Sequence, residues 1–254
     1  MQINEHNYYE KIGNWDFDQI KYKTEKLTSW DFYEKIKEYT TKDSICLDLG
    51  TGGGEKVLKY YPEVKKIYAT DFSRGMINTA KENLKAYPER NVEFMQMDNL
   101  NMTFEDETFD LISARHTVID AKQIYKALKP NGVLVIEGVD QKDCWELKTL
   151  FERGQAYKDK NPISKIDYEA IKNAGFSKIE LVEIREDEYY ETEEDLLALL
   201  LKTPILDDFS EEGNTQFKHR KWIESDKFKK YVDKYKTEKG ILLKRRLYGI
   251  LARK

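Results

Sequence analysis

The 254-residue sequence contains few of the residues that build cross-linked or metal-centred proteins, with only two cysteines and three histidines. Cys46 and Cys144 are far apart, and neither belongs to a C-x-x-C pair. With so few cysteines and histidines, the sequence shows no zinc-binding spacing, and we therefore expect no metal site. Cys46 lies in an apolar segment and is predicted to be a small core residue.

Long apolar runs are also absent. The longest, residues 196–201, is far shorter than the roughly 20 residues that span a bilayer. The first five residues do not show the basic and then apolar pattern of a secretory signal. These absences favour a soluble cytoplasmic protein without a membrane partner.

Charge is nearly balanced over the whole chain but is unevenly distributed along it. The net charge of −4 argues against a protein that coats nucleic acid through bulk electrostatics. Residues 218–254, however, carry 14 Lys and Arg against 4 Asp and Glu, whereas residues 1–217 carry a net charge of −14. The basic segment is interpreted as a solvated helical face, with a surface for an anionic substrate or RNA as the alternative.

A glycine-rich turn follows the first strongly apolar segment. Residues 45–49 (ICLDL) are predicted to form a strand that leads into the turn at residues 50–54 (GTGGG). The next apolar segment ends at Asp71, 23 positions after Asp48. This separation is near the roughly 20 residues of one βαβ unit, which places backbone amides and an acid around a nucleotide-like ligand.

The spacing of the glycines distinguishes between cofactors. Gly50, Gly52 and Gly54 form a G-x-G-x-G run, and Glu55 stands where G-x-G-x-x-G has its third glycine. The Glu55 carboxylate would repel a pyrophosphate. A ligand with a positive centre and no phosphate would not be repelled.

These segments resemble the ordered motifs of class I S-adenosylmethionine-dependent methyltransferases. Residues 48–55 resemble the first motif, and residues 71–77 (DFSRGMI) resemble the second. Asp98, followed by FDLI at residues 109–112, resembles the third and fourth motifs, and residues 128–136 resemble the turn and strand that come next. The resemblance implies that the cofactor is S-adenosyl-L-methionine (SAM).

By this resemblance, Asp71 would accept hydrogen bonds from the ribose hydroxyls, and Asp98 would receive the adenine amine. Asp48 would order the turn or merely cap it, while Phe72 and Met76 would flank the adenine or pack in the core. Arg115 would pair with the cofactor carboxylate, with Asp48 or with Glu55. The predicted cofactor-binding residues are Asp48, Gly50, Thr51, Gly52, Gly54, Asp71, Phe72, Met76, Asp98, Asn99, Ala114 and Arg115.

The alternation of strands and helices predicts an α/β fold, a mostly parallel sheet with helices on both faces. The resemblance implies a Rossmann-like sheet of seven strands whose last strand is antiparallel. Residues 43–254 are predicted to form the methyltransferase domain, and residues 192–239 a helical insertion that covers the substrate side. Residues 1–42 are predicted to form an N-terminal helical cap, which acts as a lid and precedes the sheet. Its aromatic residues Trp15, Tyr22 and Trp30 are candidate acceptor contacts.

The catalytic machinery is expected to be small, because no triad or metal cluster is visible. His116 directly follows the fourth predicted strand and is a candidate general base, with a structural role as the alternative. Residues 117–120 contain no N/D-P-P-Y/F motif, which argues against amino-methylation of bases or glutamine of that type. We predict methyl transfer to a small-molecule acceptor. The alternatives are an RNA (rRNA or tRNA) methyltransferase and a cofactor-binding protein without transfer activity.

Overall fold

The computed structural model describes residues 19–207 and 223–254. Within these ranges, nine strands form one sheet, and eight helices surround it. The strands are β1 (Tyr22–Lys26), β2 (Ile45–Leu49), β3 (Lys66–Asp71), β4 (Val92–Gln96), β5 (Phe109–Arg115), β6 (Leu128–Val139), β7 (Ser177–Tyr190), β8 (Lys236–Thr237) and β9 (Gly240–Arg253). The helices are α1 (Phe32–Glu38), α2 (Glu55–Tyr60), α3 (Arg74–Leu84), α4 (Ala121–Ala127), α5 (Trp145–Phe151), α6 (Ile163–Ala174), α7 (Glu193–Lys202) and α8 (Asp226–Tyr235).

The sheet follows the doubly wound pattern that the sequence predicts. Its order is β1-β7-β9-β6-β5-β2-β3-β4, with β8 paired to β9. Strands β2 to β6 are parallel, and the chain order reverses between β2 and β5. The last strand, β9, lies antiparallel between β6 and β7, which confirms the predicted antiparallel last strand. Ligands of such sheets bind at the carboxyl edge, near the reversal.

The N-terminal segment differs from the prediction. Residues 22–26 are not helical but form β1, which pairs antiparallel with β7 at the edge of the sheet. Together with β8, this strand raises the predicted seven strands to nine. All five residues of β1 are exposed, so the strand carries no apolar alternation by which its sequence could have revealed it. Helix α1 lies within the segment predicted to be helical, and its N-cap is Asp31, which accepts hydrogen bonds from the Tyr33 and Glu34 amides.

Hydrophobic cores on both faces confirm the predicted layering. Alternate residues of β2 point to opposite faces, so Cys46 packs with α1, α2 and α3, whereas Leu47 packs with α4 and α6. Helix α1 contributes Ile36, which is fully buried. The described part of residues 1–42 is therefore built into the sheet and its core, contrary to the expectation that this segment only precedes the sheet. The lid role of the segment stays a prediction.

A third core lies where β7 and β9 extend past the other strands. It joins these extensions to α5, α7 and α8, with Tyr190 and Leu243 among its buried residues. Helices α7 and α8 are the described parts of the predicted insertion at residues 192–239. Within the described ranges, no helix combines the length and the apolar character needed to cross a bilayer.

Candidate active site

The glycine turn at residues 50–54 is folded against the end of β3. The amides of Gly50 and Thr51 both donate to the carbonyl of Thr70, at 2.8 and 2.9 Å. These bonds hold the turn at the carboxyl edge of the sheet, above the point where the chain order reverses.

Two of the glycines are required by their surroundings. Gly54 has a φ of 79°, and a Cβ atom there would lie 2.7 Å from the ring of Phe94. A Cβ atom on Gly50, whose φ is 74°, would lie 2.6 Å from the Thr117 side chain. Both positions therefore exclude larger residues through backbone conformation and through contact.

Asp71 is fixed at the junction of β3 and the following helix. Its carboxylate accepts hydrogen bonds from the Gly52 amide and from the Ser73 amide, both at 2.9 Å. The glycine turn and the start of α3 are thereby tied to one carboxylate. Among the predicted cofactor residues, Asp71 thus links the glycine turn directly to β3.

Asp98 and Asn99 follow the neighbouring strand β4. The Met97 amide donates to the Asp71 carbonyl at 3.0 Å, so the two acidic strand ends lie side by side. Asp98 accepts from the Leu100 amide at 2.9 Å. Asn99 is buried and donates from Nδ2 to Thr117 Oγ1 at 3.0 Å, while its Oδ1 has no donor among the described residues.

The two predicted apolar neighbours of this region differ in exposure. Phe72 lies on the surface beside Asp71, and Gln96 Nε2 donates to its carbonyl at 3.1 Å. Met76 is fully buried in the first turn of α3. Its burial favours core packing over direct contact with a ligand, whereas Phe72 remains accessible to one.

Asp48 lies beneath the turn rather than at its surface. Ser113 Oγ donates to Asp48 Oδ1 at 2.7 Å, and the Tyr61 hydroxyl is 3.1 Å from Ser113 Oγ. Burial raises the pKa of Asp48 to about 6, although the hydrogen bond from Ser113 opposes this shift. The carboxylate therefore ties β2 to β5 from inside the sheet.

The end of β5 carries an ion pair that the sequence did not predict. Arg115 Nε donates to Glu137 Oε1 of β6 at 2.8 Å, instead of pairing with Asp48 or Glu55. The two residues are opposite each other in the strand register, one step beyond the buried Ala114. Glu137 could have been suspected from its charge, because it interrupts the apolar run of residues 133–139.

His116 lies next to this ion pair, and its backbone has a left-handed conformation. Its φ is 53°, its amide donates to the Glu137 carbonyl at 2.8 Å, and its Nε2 lies 3.7 Å from Glu137 Oε1. Burial and the guanidinium groups of Arg115 and Arg245 lower the pKa of His116 well below its usual value. This shift favours the neutral imidazole, and the role of His116 as a general base stays a prediction.

The three aromatic residues predicted to contact the acceptor have different positions. Tyr22 is exposed on β1 and stacks on Tyr190, with ring centroids 5.2 Å apart. Trp30 is buried and packs over Gly249 of β9, the register partner of Glu137, where the missing side chain leaves room for the indole. Its role as an acceptor contact stays a prediction. Trp15 lies outside the described residues.

Comparison with known proteins shows a similarity to methyltransferases in part of the chain. Residues 46–132 match the family model of a methyltransferase domain. This match begins in β2, ends in β6, and includes the glycine turn together with the acidic ends of β3 and β4. Residues 46–132 are therefore similar to a methyltransferase domain.

Two curated relatives each match about a third of the chain. The 2-phytyl-1,4-naphtoquinone methyltransferase of Trichormus variabilis is 30% identical over 102 residues, which cover 36% of this chain and 44% of the relative. The demethylmenaquinone methyltransferase of Lactococcus lactis is 30% identical over 99 residues, or 35% of this chain and 39% of the relative. The chain thus spans less than half the length of these two relatives.

The methyltransferase fold also recurs among solved structures. The phosphoethanolamine N-methyltransferase 2 of Haemonchus contortus superposes with a TM-score of 0.53 at 18% identity, covering 100% of this chain and 58% of that one. At this identity, the likeness concerns the fold alone.

Several buried polar residues near the candidate site lie outside the methyltransferase match, which spans residues 46–132. Tyr33 of α1 is near Asp48, and burial and this carboxylate raise the pKa of its phenol. Arg245 of β9 donates to Asp143 at 2.9 Å and to Glu188 at 3.0 Å, and all three side chains are largely buried. These residues come from segments distant in sequence, and none of them belongs to a motif that the sequence displays.

Proposed function

We propose that this chain transfers the methyl group of SAM to a small-molecule acceptor. The observation that carries the proposal is the position of Asp71, held by the Gly52 and Ser73 amides beside the glycine turn of a methyltransferase domain. A carboxylate at this place can accept hydrogen bonds from both hydroxyls of a ribose.

The side chains around Asp71 fit the adenosine part of SAM. Asn99 Oδ1 is a buried acceptor without a donor among the described residues, and an exocyclic amine would supply that donor. Asp98 lies next to it, and the exposed ring of Phe72 can cover one face of an adenine. Arg115 lies on the opposite side of the glycine turn. There it would donate hydrogen bonds to the carboxylate of the methionine part of SAM.

The surroundings of the turn favour a ligand without a pyrophosphate. Glu55 lies beside Gly53, where a Cβ atom would be 2.4 Å from Glu55 Oε1. Asn83 Nδ2 donates to the Gly53 carbonyl at 2.9 Å and approaches Glu55 Oε1 at 3.4 Å. The carboxylate is thus kept at the turn, where it disfavours phosphate groups.

When bound, SAM would supply a methyl group that its sulfonium already activates. The chain then has to hold the acceptor in line and exclude water, and neither task requires a metal or a nucleophilic side chain. His116, neutral and hydrogen-bonded through its backbone to Glu137, orients that strand end.

Two observations support a small-molecule acceptor over RNA. The relatives named above are quinone methyltransferases by their names, which suggests a small acceptor here as well. Several basic residues of the C-terminal segment already serve internal ion pairs. Among them are Lys239 with Glu25 at 2.6 Å, Lys244 with Glu146 at 2.9 Å and Arg245 with Asp143 at 2.9 Å.

Calorimetric titration with SAM, S-adenosylhomocysteine and NAD tests the cofactor assignment. We expect micromolar binding of the first two and no binding of NAD, because Glu55 disfavours a pyrophosphate. Preference for NAD would contradict the proposal. Binding of SAM with no S-adenosylhomocysteine formed from any acceptor, RNA included, would instead favour a binding protein without transfer activity.

A further inference from the structure

The acceptor must approach from one half of the sheet edge, if SAM binds as proposed above. Asp71 and Asp98 place the adenosine over β3 and β4, so the methionine part extends across the turn towards β5 and β6. The strands that continue in this direction are β9, β7 and β1. We call the polar residues at this end the acceptor half: Tyr22, Lys26, Arg115, Glu137, Glu186, Glu188 and Arg245.

Each positive group of the acceptor half already has an acidic partner. Arg115 pairs with Glu137 at 2.8 Å, and Lys26 pairs with Asp31 at 2.9 Å. Arg245 bonds to Asp143 at 2.9 Å and to Glu188 at 3.0 Å. Every cation of this region therefore already has a carboxylate partner within the protein.

Glu186 differs from the other carboxylates of the acceptor half. It lies on β7, opposite Lys26 of β1 and opposite Arg245 of β9, and it is half-buried. Its side chain has no hydrogen bond or ion pair within residues 19–207 and 223–254, and its neighbours Lys26 and Arg245 pair with other acids.

The electrostatic surroundings show that Glu186 shares one region with these groups. Burial and the carboxylates of Glu137 and Glu188 raise its pKa, and the cations of Lys26 and Arg245 oppose that shift. Partial burial and the carboxylates of Glu188 and Glu186 raise the pKa of Tyr22, and the guanidinium groups of Arg245 and Arg115 oppose that shift. A carboxyl group without a hydrogen-bond partner among the described residues therefore lies among the charged groups at the end of the sheet from which an acceptor would enter.

We propose that the methyl acceptor is a cationic amine, and that Glu186 binds its ammonium group and takes its proton. A proton passes from the ammonium to the Glu186 carboxylate, which frees the nitrogen lone pair. The nitrogen then bonds to the methyl carbon while the carbon–sulfur bond of the donor breaks, with its electron pair remaining on sulfur. The product is a methylated ammonium, and Glu186 returns its proton to water.

The binding part of the proposal is tested with Glu186→Gln, a variant that keeps the size and removes the charge. The matched control is Glu183→Gln on the same strand, an exposed residue whose carboxylate pairs with Arg185. The probes are three amines with their hydroxyl counterparts: tyramine and tyrosol, glucosamine and glucose, spermidine and 1,8-octanediol. Each is titrated into the protein with and without S-adenosylhomocysteine.

We expect at least one amine to bind the parent and Glu183→Gln equally, and to bind Glu186→Gln more weakly by about tenfold or more. The hydroxyl counterparts should bind all three proteins alike. No amine bound by the parent, or equal amine affinity in all three, would overturn the proposal. Loss of SAM affinity without loss of S-adenosylhomocysteine affinity in Glu186→Gln would also overturn it, because Glu186 would then serve the sulfonium.

The proton-transfer part is tested by the rate of methyl transfer to the bound amine. Glu186→Gln should slow it by about 100-fold or more at neutral pH. The rate should recover partly towards pH about 10, where free amines lose their proton unaided. A Glu186→Gln rate equal to that of Glu183→Gln would contradict this role. Failure of the parent to bind SAM or S-adenosylhomocysteine would instead refute the methyltransferase assignment.

Discussion

The two halves of the candidate active site are built in different ways. On the adenosine side, over β3 and β4, Asp71 is held by backbone amides from residues next to it or from the adjacent turn. In the acceptor half, Arg245 is held by Asp143 and Glu188, which are 102 and 57 residues away in sequence. A site built from local backbone geometry can be predicted from the sequence, whereas a site built from side chains of distant strands cannot.

The largest effect is expected from removing the central cation of the acceptor half. Arg245→Met leaves the carboxylates of Asp143 and Glu188 buried without their partner, so the free energy of unfolding should fall by about 3–5 kcal/mol. Urea denaturation measures this loss. In the control Arg185→Met, which breaks an exposed pair on β7, the midpoint should not change. Equal midpoints for both variants would show that the acceptor half is not organised around Arg245.

The second effect concerns Asp48, beneath the boundary between the two halves. Its pKa of about 6 in the folded state lies above the value of 3.8 for an unperturbed Asp, so the folded state favours the protonated form. The stability that Asp48 contributes is therefore present below pH about 4 and is lost as pH rises through about 6. We therefore expect the effect of Asp48→Asn on the free energy of unfolding to be about 3 kcal/mol more stabilising at pH 8 than at pH about 4.

Denaturation of the parent and of Asp48→Asn across this pH range checks the prediction. Asp106→Asn, an exposed turn residue, is the control and should show no difference between the two pH values. A pH-independent effect of Asp48→Asn would mean that Asp48 is charged in the fold, and that its contacts outweigh the cost of burial.

The third and smallest effect separates binding from stability on the adenosine side. Asp71→Ala should weaken SAM binding by about 1.5–3 kcal/mol, the contribution of hydrogen bonds to a charged group. Melting should remain close to that of the parent, because Asp71 lies at the end of a strand. Calorimetry on Asp71→Ala and on Asp106→Ala measures the difference. Parent-like affinity in Asp71→Ala would show that the ribose is held elsewhere.

The same contrast explains how far the sequence could predict this structure. The apolar runs and the glycine turn predicted β2 to β6 and the acidic strand ends, because these depend on short-range patterning. Strand β1 was missed because its exposed residues carry no apolar pattern. The packing of Trp30 on Gly249 was also missed, because nothing in the sequence pairs these two residues.

The partner of Arg115 shows the same limit at a single residue. Three partners were open from the sequence, and the observed one, Glu137, is fixed by the register between β5 and β6. Register depends on the whole sheet, and therefore on contacts that one segment does not encode.

The most direct test of the central assignment is a crystal structure of the chain with S-adenosylhomocysteine. We predict that both ribose hydroxyls lie within hydrogen-bond distance of the Asp71 carboxylate, with the adenine amine between Asp98 and Asn99 and the sulfur atom facing Arg115. A ligand bound away from the glycine turn, or with its ribose out of reach of Asp71, would contradict the account.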